Sequence, residues 1–510
     1  MTRFYIENFG CRATQADGAA LERQFLARGL ERAPASREAE IVVLNTCTVT
    51  EGADKDARAS IRRLQRVNPG CRILVTGCYA QRAPEELAAL PGVTWVVGNS
   101  HKHRAADIAI GSAGFVPLAA LSAESAEDPH TARDCVGHAQ DSWGQPEIVV
   151  GDIFAHTELM AAPVFEAANE RTRPNLKVQD GCDNRCSFCV IPFVRGHSRS
   201  LPEERVLSEV RTLVAGGYRE VVISGINLGR WGRDLENSSQ FSVLSSQLKP
   251  ATSGRRLEYL IRAILAGTSL EKLRISSVEP MDWSDELIEL VATSPRIAKH
   301  AHVPMQSGSD AVLRRMHRKY RPWHYREKIL KIRAAMPWAA IGADVMVGFP
   351  GESEAEFGET RRMIEELPFT YLHVFTYSAR PGTPAAKHTG QVPVAIARER
   401  NAVLREMAAA KKATFMRSLV GTTVEAITLQ TGGPDFTEAL TENYLKVRIA
   451  GRMTANRWME LRVAGVEREA LIGEALIGET GIGETRVGET LGEIASGDPA
   501  QFSHREAICR

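Results

Sequence analysis

Three cysteines, Cys182, Cys186 and Cys189, fall within eight residues of a 510-residue chain that holds nine cysteines in all. The run is Gln179-Asp-Gly-Cys-Asp-Asn-Arg-Cys-Ser-Phe-Cys-Val190. A C-x3-C-x2-C spacing offers three thiolates from one short loop, enough to grip one side of a metal centre. A cubane [4Fe–4S] cluster normally takes four cysteines, so three leave one iron open to another ligand. Structural zinc asks for four closed ligands, usually as two separated pairs, and no second CxxC pair follows here.

A second set of cysteines is dispersed in sequence. The first hundred or so residues alternate short apolar runs with helical ones: strands at Arg3–Asn8, Ile41–Leu44, Arg72–Val75 and Val93–Val97, helices at Asp17–Leu30, Ala53–Val67 and Pro84–Leu90. Such alternation predicts a parallel, doubly wound sheet with helices on both faces. The first three strands run into Gly10-Cys11, Asn45-Thr-Cys47 and Thr76-Gly-Cys78. The carboxyl ends of the strands share one edge of an open α/β sheet, and ligands bind there. Cys11, Cys47 and Cys78 are thereby expected on one rim, as a second three-ligand site. Cysteine also serves as a small buried apolar residue, which is the plain alternative reading of each. Cys71 precedes its strand, and Cys135 and Cys509 lie in weakly patterned stretches, so these three are not candidates.

Beyond the first unit, residues 120–170 carry ten acidic residues against the single Arg133 and are expected to be an acidic connector with a short strand or two. From residue 171 helix and strand alternate again. Six strands, at Leu176–Gln179, Glu220–Ser224, Lys272–Ser276, Ala301–Met305, Ile341–Val347 and Thr370–Phe375, each end in polar or glycine-rich residues. This predicts a full or partial (β/α) barrel over 171–414, with its chemistry at the mouth where the Cys182 loop follows the first strand. Glu236–Arg256, rich in Ser and Gln, reads as a surface insertion. Strand-like runs at Gly421–Ile427, Tyr444–Ile449 and Met459–Val463 predict a small β-barrel over 415–472. A Gly-Glu repeat at Gly473, Gly478, Gly483 and Gly488 reads as a low-complexity tail over 473–510.

Composition sets the outer bounds. An apolar fraction of 44% is ample for globular cores, and a formal net charge of +1 leaves any nucleic-acid surface to local clusters. No run of about 18 apolar residues is present and the first residues lack a signal-like apolar stretch, so a reducing cytosol is expected. Arg314 to Arg333 holds nine Lys or Arg against Glu327, interleaved with Tyr320, Trp323 and Tyr325. Such a run can track phosphates and stack bases, although a charge run is more often a solvated helix face.

An open iron that delivers one electron suits a ligand split reductively. S-adenosylmethionine fits, since its amino and carboxylate groups can chelate iron before a C–S bond breaks and a 5′-deoxyadenosyl radical is released. Asn227, Glu279 and Gln306, at three strand ends, are candidates to hold its polar groups.

The motif Cys182-Asp-Asn-Arg-Cys186-Ser-Phe-Cys189 resembles the signature of radical S-adenosylmethionine enzymes. Ile191-Pro-Phe-Val-Arg-Gly-His-Ser-Arg-Ser200, Arg274–Pro280, His302–Asp310 and Asp344–Glu352 resemble the methylthiotransferase branch, and Gly10-Cys11, Asn45–Thr50 and Val75–Gln81 its cluster-binding domain. The resemblance runs from about Arg3 to Val463 and includes the C-terminal unit, which is similar to the RNA-binding TRAM barrel. It implies a transferase with two [4Fe–4S] clusters, one on Cys182, Cys186 and Cys189 and an auxiliary one on Cys11, Cys47 and Cys78. It further implies S-adenosylmethionine as radical source and methyl donor, a low-potential electron donor, a cytoplasmic location and an N-terminal domain over 1–119. The family's branches act on isopentenyladenosine in tRNA, on threonylcarbamoyladenosine in tRNA, or on an aspartate of a ribosomal protein. Asn45–Thr50 with Asp54-Lys55, Thr76–Glu85 and Val97-Gly-Asn99 look most like the threonylcarbamoyladenosine branch, whose partner is the anticodon stem-loop with adenosine 37. Thr14 departs from the Asn usual in the Gly-Cys-x-x-Asn motif. A rival from another class is a non-catalytic RNA-binding scaffold with structural metal.

Overall fold

The computed structural model describes residues 1–111, 145–157, 159–160, 172–235 and 256–476. The insertion expected at Glu236–Arg256 lies outside the described residues up to position 255, as do Cys135, Cys509 and the repeat beyond Leu476.

The N-terminal region is a six-stranded parallel sheet. Its elements are β1 (Arg3–Asn8), α1 (Arg12–Ala27), β2 (Glu31–Arg32), β3 (Ile41–Thr46), α2 (Glu51–Val67), β4 (Arg72–Gly77), α3 (Cys78–Arg82), α4 (Pro84–Ala88), β5 (Val93–Gly98), α5 (Ala105–Ala109) and β6 (Glu147–Val149). Strand order is β2-β1-β3-β4-β5-β6, so the winding reverses between β1 and β3. Two separate apolar layers cover the two faces. Val42, Leu44, Ile73, Val75 and Val96 pack on Ala57, Ile61 and Leu64 of α2. Phe4, Ile41, Val43, Leu74 and Val97 pack on Leu21 and Phe25 of α1 and on α5. Burial on both faces is why these strands read as unbroken apolar runs. Cys71 is a core residue of the first layer. One edge strand, β2, only two residues long, escaped the sequence reading, while β6 is a short strand within the acidic stretch, where one or two were expected.

The barrel strands are β7 (Asn175–Asp180), β9 (Glu220–Gly225), β10 (Lys272–Ile275), β11 (His300–His302), β12 (Ala340–Val347) and β13 (Tyr371–Thr376), with β8 (Arg199–Ser200) antiparallel to β7. They form two sheets, β10-β9-β7-β8 and β11-β12-β13, joined by a parallel bridge from Leu273 to Ile297. The barrel is therefore partial. The helices outside it are α6 (Ile191–Arg195), α7 (Glu203–Ala215), α8 (Leu257–Gly267), α9 (Asp285–Thr293), α10 (Asp310–Arg315), α11 (Pro322–Ala335), α12 (Glu354–Glu366) and α13 (Val394–Ser418). Strand β11 is shorter than expected, but Val303 N and Met305 N still donate to Gly342 O and Asp344 O of β12 at 2.8 and 3.1 Å on the way to Gln306, a non-glycine residue with φ of 63°.

The barrel strands alternate strictly. Leu176, Val178, Val221, Ile223, Leu273, Ile275, Ile341, Ala343 and Val345 face the helices in one apolar core. The opposite, concave face carries Asn175, Lys177 and Gln179 on β7, Glu220 and Ser224 on β9, Lys272 and Arg274 on β10, His300 and His302 on β11, Asp344 on β12, and Tyr371 and His373 on β13. An ordinary (β/α) barrel fills its interior with Val, Ile and Leu. This one has a polar lining, part of which is covered from within the unit: Asn175 Nδ2 donates to Arg12 O at 3.2 Å, Arg274 Nη1 to Glu442 O at 2.9 Å, and Tyr444 packs on His300 and Tyr371.

The N-terminal sheet and the barrel belong to one compact unit, Met1–Phe415 with Glu442–Tyr444; the second unit is Met416–Thr441 with the chain from Leu445 on. The second unit is a closed five-stranded barrel in the order β14-β15-β16-β18-β17, from β14 (Thr423–Gly432), β15 (Phe436–Thr441), β16 (Lys446–Ala450), β17 (Trp458–Glu467) and β18 (Ala470–Ala475). Gly473, read from sequence as the start of the tail, pairs with Val463 inside β18. A Cβ there would lie 2.7 Å from Val447 Cγ1, so this glycine serves close packing.

Candidate functional site

Strand β7 delivers the Cys182 loop through Gly181. That residue has φ of 70°, and a Cβ on it would sit 1.9 Å from the His197 carbonyl oxygen, which only glycine avoids. Cys182 N donates to Gly196 O at 3.1 Å and closes the loop, while Cys189 N donates to Cys186 O at 3.1 Å. Gln179 braces the base: its Nε2 donates to Asp180 O, Gly181 O and Ser198 Oγ, each at 2.9 Å, and its Oε1 accepts from Asn227 N at 2.6 Å.

Two N–H donors point at the sulfurs. Asn227 Nδ2 lies 3.6 Å from Cys182 Sγ, and Arg318 Nη1 lies 3.4 Å from Cys186 Sγ. Arg318 is buried and its other Nη pairs with Glu279. Glu279, Arg318, Tyr320, Cys186 and Asn184 line a small open cleft. Of the three cofactor-binding candidates, Asn227 and Glu279 thus meet the loop. Gln306 is not brought to it: its backbone N donates to Asp344 O at 2.8 Å, and among the described residues its side chain makes no hydrogen bond to the loop. Arg318 was missed because it sat within what looked like a uniform basic run.

That run is not the phosphate track its composition suggested. Arg314 and Arg321 pair with Asp310, Arg315 with Glu356, Arg326 with Glu366, and Lys328 and Lys331 with Asp285. Arg333 Nη1 donates to the carbonyls of Pro337 and Ala339. Tyr320 and Tyr325 are buried, and only Trp323 is exposed. Asp310 is a local partner, four residues before Arg314 on α10, but the carboxylates that pair with Arg315, Arg326, Lys328 and Lys331 come from α12 and α9, a pairing no local sequence window contains.

The second triad assembles at the carboxyl edge of the N-terminal sheet, at its winding switch point. Cys11 sits between β1 and α1, Cys47 follows β3, and Cys78 opens α3 after β4. The glycines before two of them are needed by contact. A Cβ on Gly10 (φ 98°) would fall 2.5 Å from Cys47 Cβ, and one on Gly77 (φ 103°) 2.3 Å from Thr46 O. Thr14 Oγ1 lies 3.6 Å from Cys11 Sγ, so the residue that departs from the usual Asn still touches the cysteine. Asn99 Nδ2 lies 3.6 Å from Cys78 Sγ.

Burial, and then the neighbouring thiols Cys11 and Cys78, push the Cys47 thiol up to about 12. Burial followed by Cys186 pushes Cys189 to about 12, and burial raises Cys182. Buried thiols of this kind become thiolates only against a compensating metal charge. Among the described residues no three His, Cys, Asp or Glu converge tightly enough for one metal ion. The three-thiol donor set of each triad, with N–H groups at the sulfurs, fits an iron–sulfur cluster.

The triads adjoin. Cys78 packs with Val190 and Val194, which follow Cys189, and Asn99 Nδ2 donates to Val194 O at 2.7 Å. Beside this contact lies a buried lattice of charges. Asp17 of α1 accepts from Lys102 Nζ at 2.9 Å and Arg195 Nη2 at 3.0 Å, and pairs with Lys177. Asp180 accepts from Arg195 Nη1 at 3.0 Å on both oxygens and from Lys177 Nζ at 2.6 Å. Burial opposes ionisation of both carboxyls, but the surrounding cations hold Asp17 and Asp180 below the usual carboxylate range. Within the lumen, His302 bonds Ser277 on one side and lies 3.4 Å from Asp344 Oδ1 on the other, with His373 stacked edge-on at 5.5 Å. Burial raises the Asp344 carboxyl, and His302 more than offsets this, leaving it below its ordinary value.

A polar-lined partial (β/α) barrel with a three-cysteine loop at its mouth defines a class, and the comparisons agree. Residues 176–364 match the Radical SAM superfamily and residues 3–98 match UPF0004, described as an uncharacterized protein family. Among solved structures, a radical S-adenosylmethionine methyltransferase, TsrM, from Kitasatospora setae shares the fold with a TM-score of 0.50 at 14% identity, over 76% of this chain and 77% of that one. The threonylcarbamoyladenosine tRNA methylthiotransferase of Bacillus subtilis is 34% identical over 88% of this chain and 91% of its own length. That of Aquifex aeolicus is 34% identical over 88% and 96%. A tRNA-2-methylthio-N6-dimethylallyladenosine synthase of Parafrankia is 31% identical over 91% and 83%. The chain belongs to the radical S-adenosylmethionine tRNA methylthiotransferase family. Membership implies S-adenosylmethionine and a [4Fe–4S] cluster. No described helix is long and apolar enough to cross a membrane.

Proposed function

We propose that this chain places a methylthio group on C2 of N6-threonylcarbamoyladenosine at position 37 of tRNA. The observation that carries the reading is the juxtaposition of two three-cysteine sites across Cys78, Val190 and Val194. Cys182, Cys186 and Cys189 would hold the cluster that binds S-adenosylmethionine, and Cys11, Cys47 and Cys78 an auxiliary [4Fe–4S] cluster. When bound, the first centre supplies a reductively cleaved S-adenosylmethionine that takes a hydrogen atom from C2, and the second supplies the sulfur, a further S-adenosylmethionine giving the methyl group.

The chain's own groups do the rest. Asn227 and Arg318 donate toward the Cys182 and Cys186 sulfurs and stabilise them as thiolates. Glu279, held by Arg318 in the cleft, is placed to accept from a ligand ammonium or hydroxyl. The lumen residues Ser277, His302, Asp344 and His373 present polar groups to a nucleoside drawn into the barrel, and the walls exclude water from the reacting carbon. The C-terminal barrel, TRAM-like in strand number and closure, would hold the RNA, and a low-potential donor in the cytoplasm would supply the electron.

Nucleoside mass spectrometry of tRNA from a strain lacking this chain tests the assignment. Loss of 2-methylthio-N6-threonylcarbamoyladenosine, with recovery of the unthiolated nucleoside, is expected. Loss of the methylthio isopentenyl nucleoside instead would move the chain to the neighbouring branch represented by the Parafrankia relative.

A further inference from the structure

Beside the Cys182 loop, at the outer edge of the mouth, an arginine lies over two phenylalanine rings. The Arg185 guanidinium carbon is 5.6 Å from the Phe154 ring centre and 5.7 Å from that of Phe193, and the two rings meet edge to face at 6.3 Å. Phe193 is 51% exposed, which is unusual for a large apolar side chain next to a buried site, and Arg185 is exposed too. Arg185 differs from the arginines of α10 and α11. Those are held by carboxylates or, for Arg333, by backbone carbonyls, whereas among the described residues Arg185 makes no ion pair. The nearest acid in its own loop, Asp183, is engaged by His197 Nδ1 at 2.7 Å and Ser198 N at 3.4 Å.

An uncommitted guanidinium over one exposed and one half-buried aromatic ring matches single-stranded RNA: the exposed ring and the guanidinium plane stack bases, and the charge meets a phosphate. We infer that Phe154, Arg185 and Phe193 form a stacking platform for a nucleotide flanking the target adenosine in the RNA loop. The inference rests on the tRNA reading above and adds the surface that receives the neighbouring base. A target base drawn into the lumen must leave its neighbours at the mouth, and this platform is formed partly by the Cys182 loop itself.

The test is fluorescence anisotropy of the anaerobically reconstituted full chain with a synthetic anticodon stem-loop RNA carrying threonylcarbamoyladenosine. Phe193→Ala and Phe154→Ala should each weaken binding roughly tenfold, within the range of base–aromatic stacking. Arg185→Gln should weaken it similarly and reduce the slope against salt by about one ion. Phe193→Trp should restore affinity, separating stacking from misfolding. An abasic nucleotide next to the target adenosine, on one side only, should abolish the effect of Phe193→Ala. Changes below roughly twofold in all three variants, a loss that Phe193→Trp does not repair, or losses that add to every abasic substitution would each overturn the platform. If the wild-type chain fails to bind the RNA, the RNA reading itself falls, and the platform with it.

Discussion

The N-terminal sheet and the barrel are both made of parallel strands backed by helices, yet they use their strands oppositely. In the sheet both faces are covered, every central position is apolar, and the polar groups that matter lie past the strand ends, at one edge. In the barrel one face is covered, and the other is a wall of Lys, Glu, Arg, His, Asp and Tyr. The sheet can therefore present only a rim, and it presents three cysteines there. The barrel presents a polar inner wall, half-exposed at Asp344 and His373. The chemistry is placed where wall and rim meet.

Changing the cysteines should break this comparison most severely. Cys186→Ser should bring cleavage of S-adenosylmethionine to 5′-deoxyadenosine down to background. Cys47→Ser should abolish methylthiolation while 5′-deoxyadenosine is still formed, and should roughly halve the iron content, since one of two four-iron centres is lost. Equal loss of both activities in the two variants would mean the triads are not separate in function.

The joint between the regions should come next. Asp17→Asn leaves Lys102, Lys177 and Arg195 with Asp180 as their remaining buried carboxylate. Breaking a buried ion pair on one side costs about 3–5 kcal/mol, measurable by urea unfolding of the metal-free chain. A change below about 1 kcal/mol would show that the lattice does not hold the joint.

The two faces of the barrel wall give a third, smaller contrast. Ile341→Ala, on the helix side, should cost about 2–5 kcal/mol as a cavity in a packed core. Ser224→Ala, on the lumen side, removes a buried hydroxyl that has no hydrogen-bond partner among the described residues. It should leave stability within about 0.5 kcal/mol. Similar costs at both positions would contradict a lumen free of structural packing.

The smallest effect is a pH dependence at the joint. Burial, then Arg199, lowers the His156 imidazole to about 4. The unfolded residue titrates near 6.5, so between that pH and about 4 the unfolded chain binds a proton that the folded chain refuses. Stability must then fall as pH falls through this window, by about 1–2 kcal/mol after allowance for partial exposure. His156→Gln should flatten that part of the urea-midpoint profile between pH 7 and 5.

What could be read from sequence follows from how local each signal was. The β1, β3, β4 and β5 strands and their terminal Gly-Cys and Thr-Cys pairs were legible because burial on both faces leaves continuous apolar runs, and because Gly10 and Gly77 mark close approaches. The six barrel strands were legible from turn residues at their ends. Their inward polar half drew little notice, since Lys177 or His373 taken singly resembles any surface residue. Lys102 meets Asp17 across 85 positions and Lys177 meets it across 160, separations that no spacing rule reaches. The basic run misled for the same reason, most of its counter-charges lying on other helices. Arg185 was noticed only as a spacer between cysteines, and its half-buried partner Phe154 lies in the stretch read as the connector.

The charge lattice also bears on biogenesis. Asp17 and Lys102 come from one half of the first unit and pair with each other, whereas Lys177, Asp180 and Arg195 from the other half carry one net positive charge that Asp17 shares. A nascent N-terminal sheet leaving the ribosome would carry its three cysteines and Lys102 but lack the second cation beside them, Arg195, which is synthesised almost a hundred residues after Lys102. Iron should consequently be inserted at the rim only after the barrel has closed on it. The order of loading would be written into the order of translation, and the barrel would be complete before its sulfur source is armed.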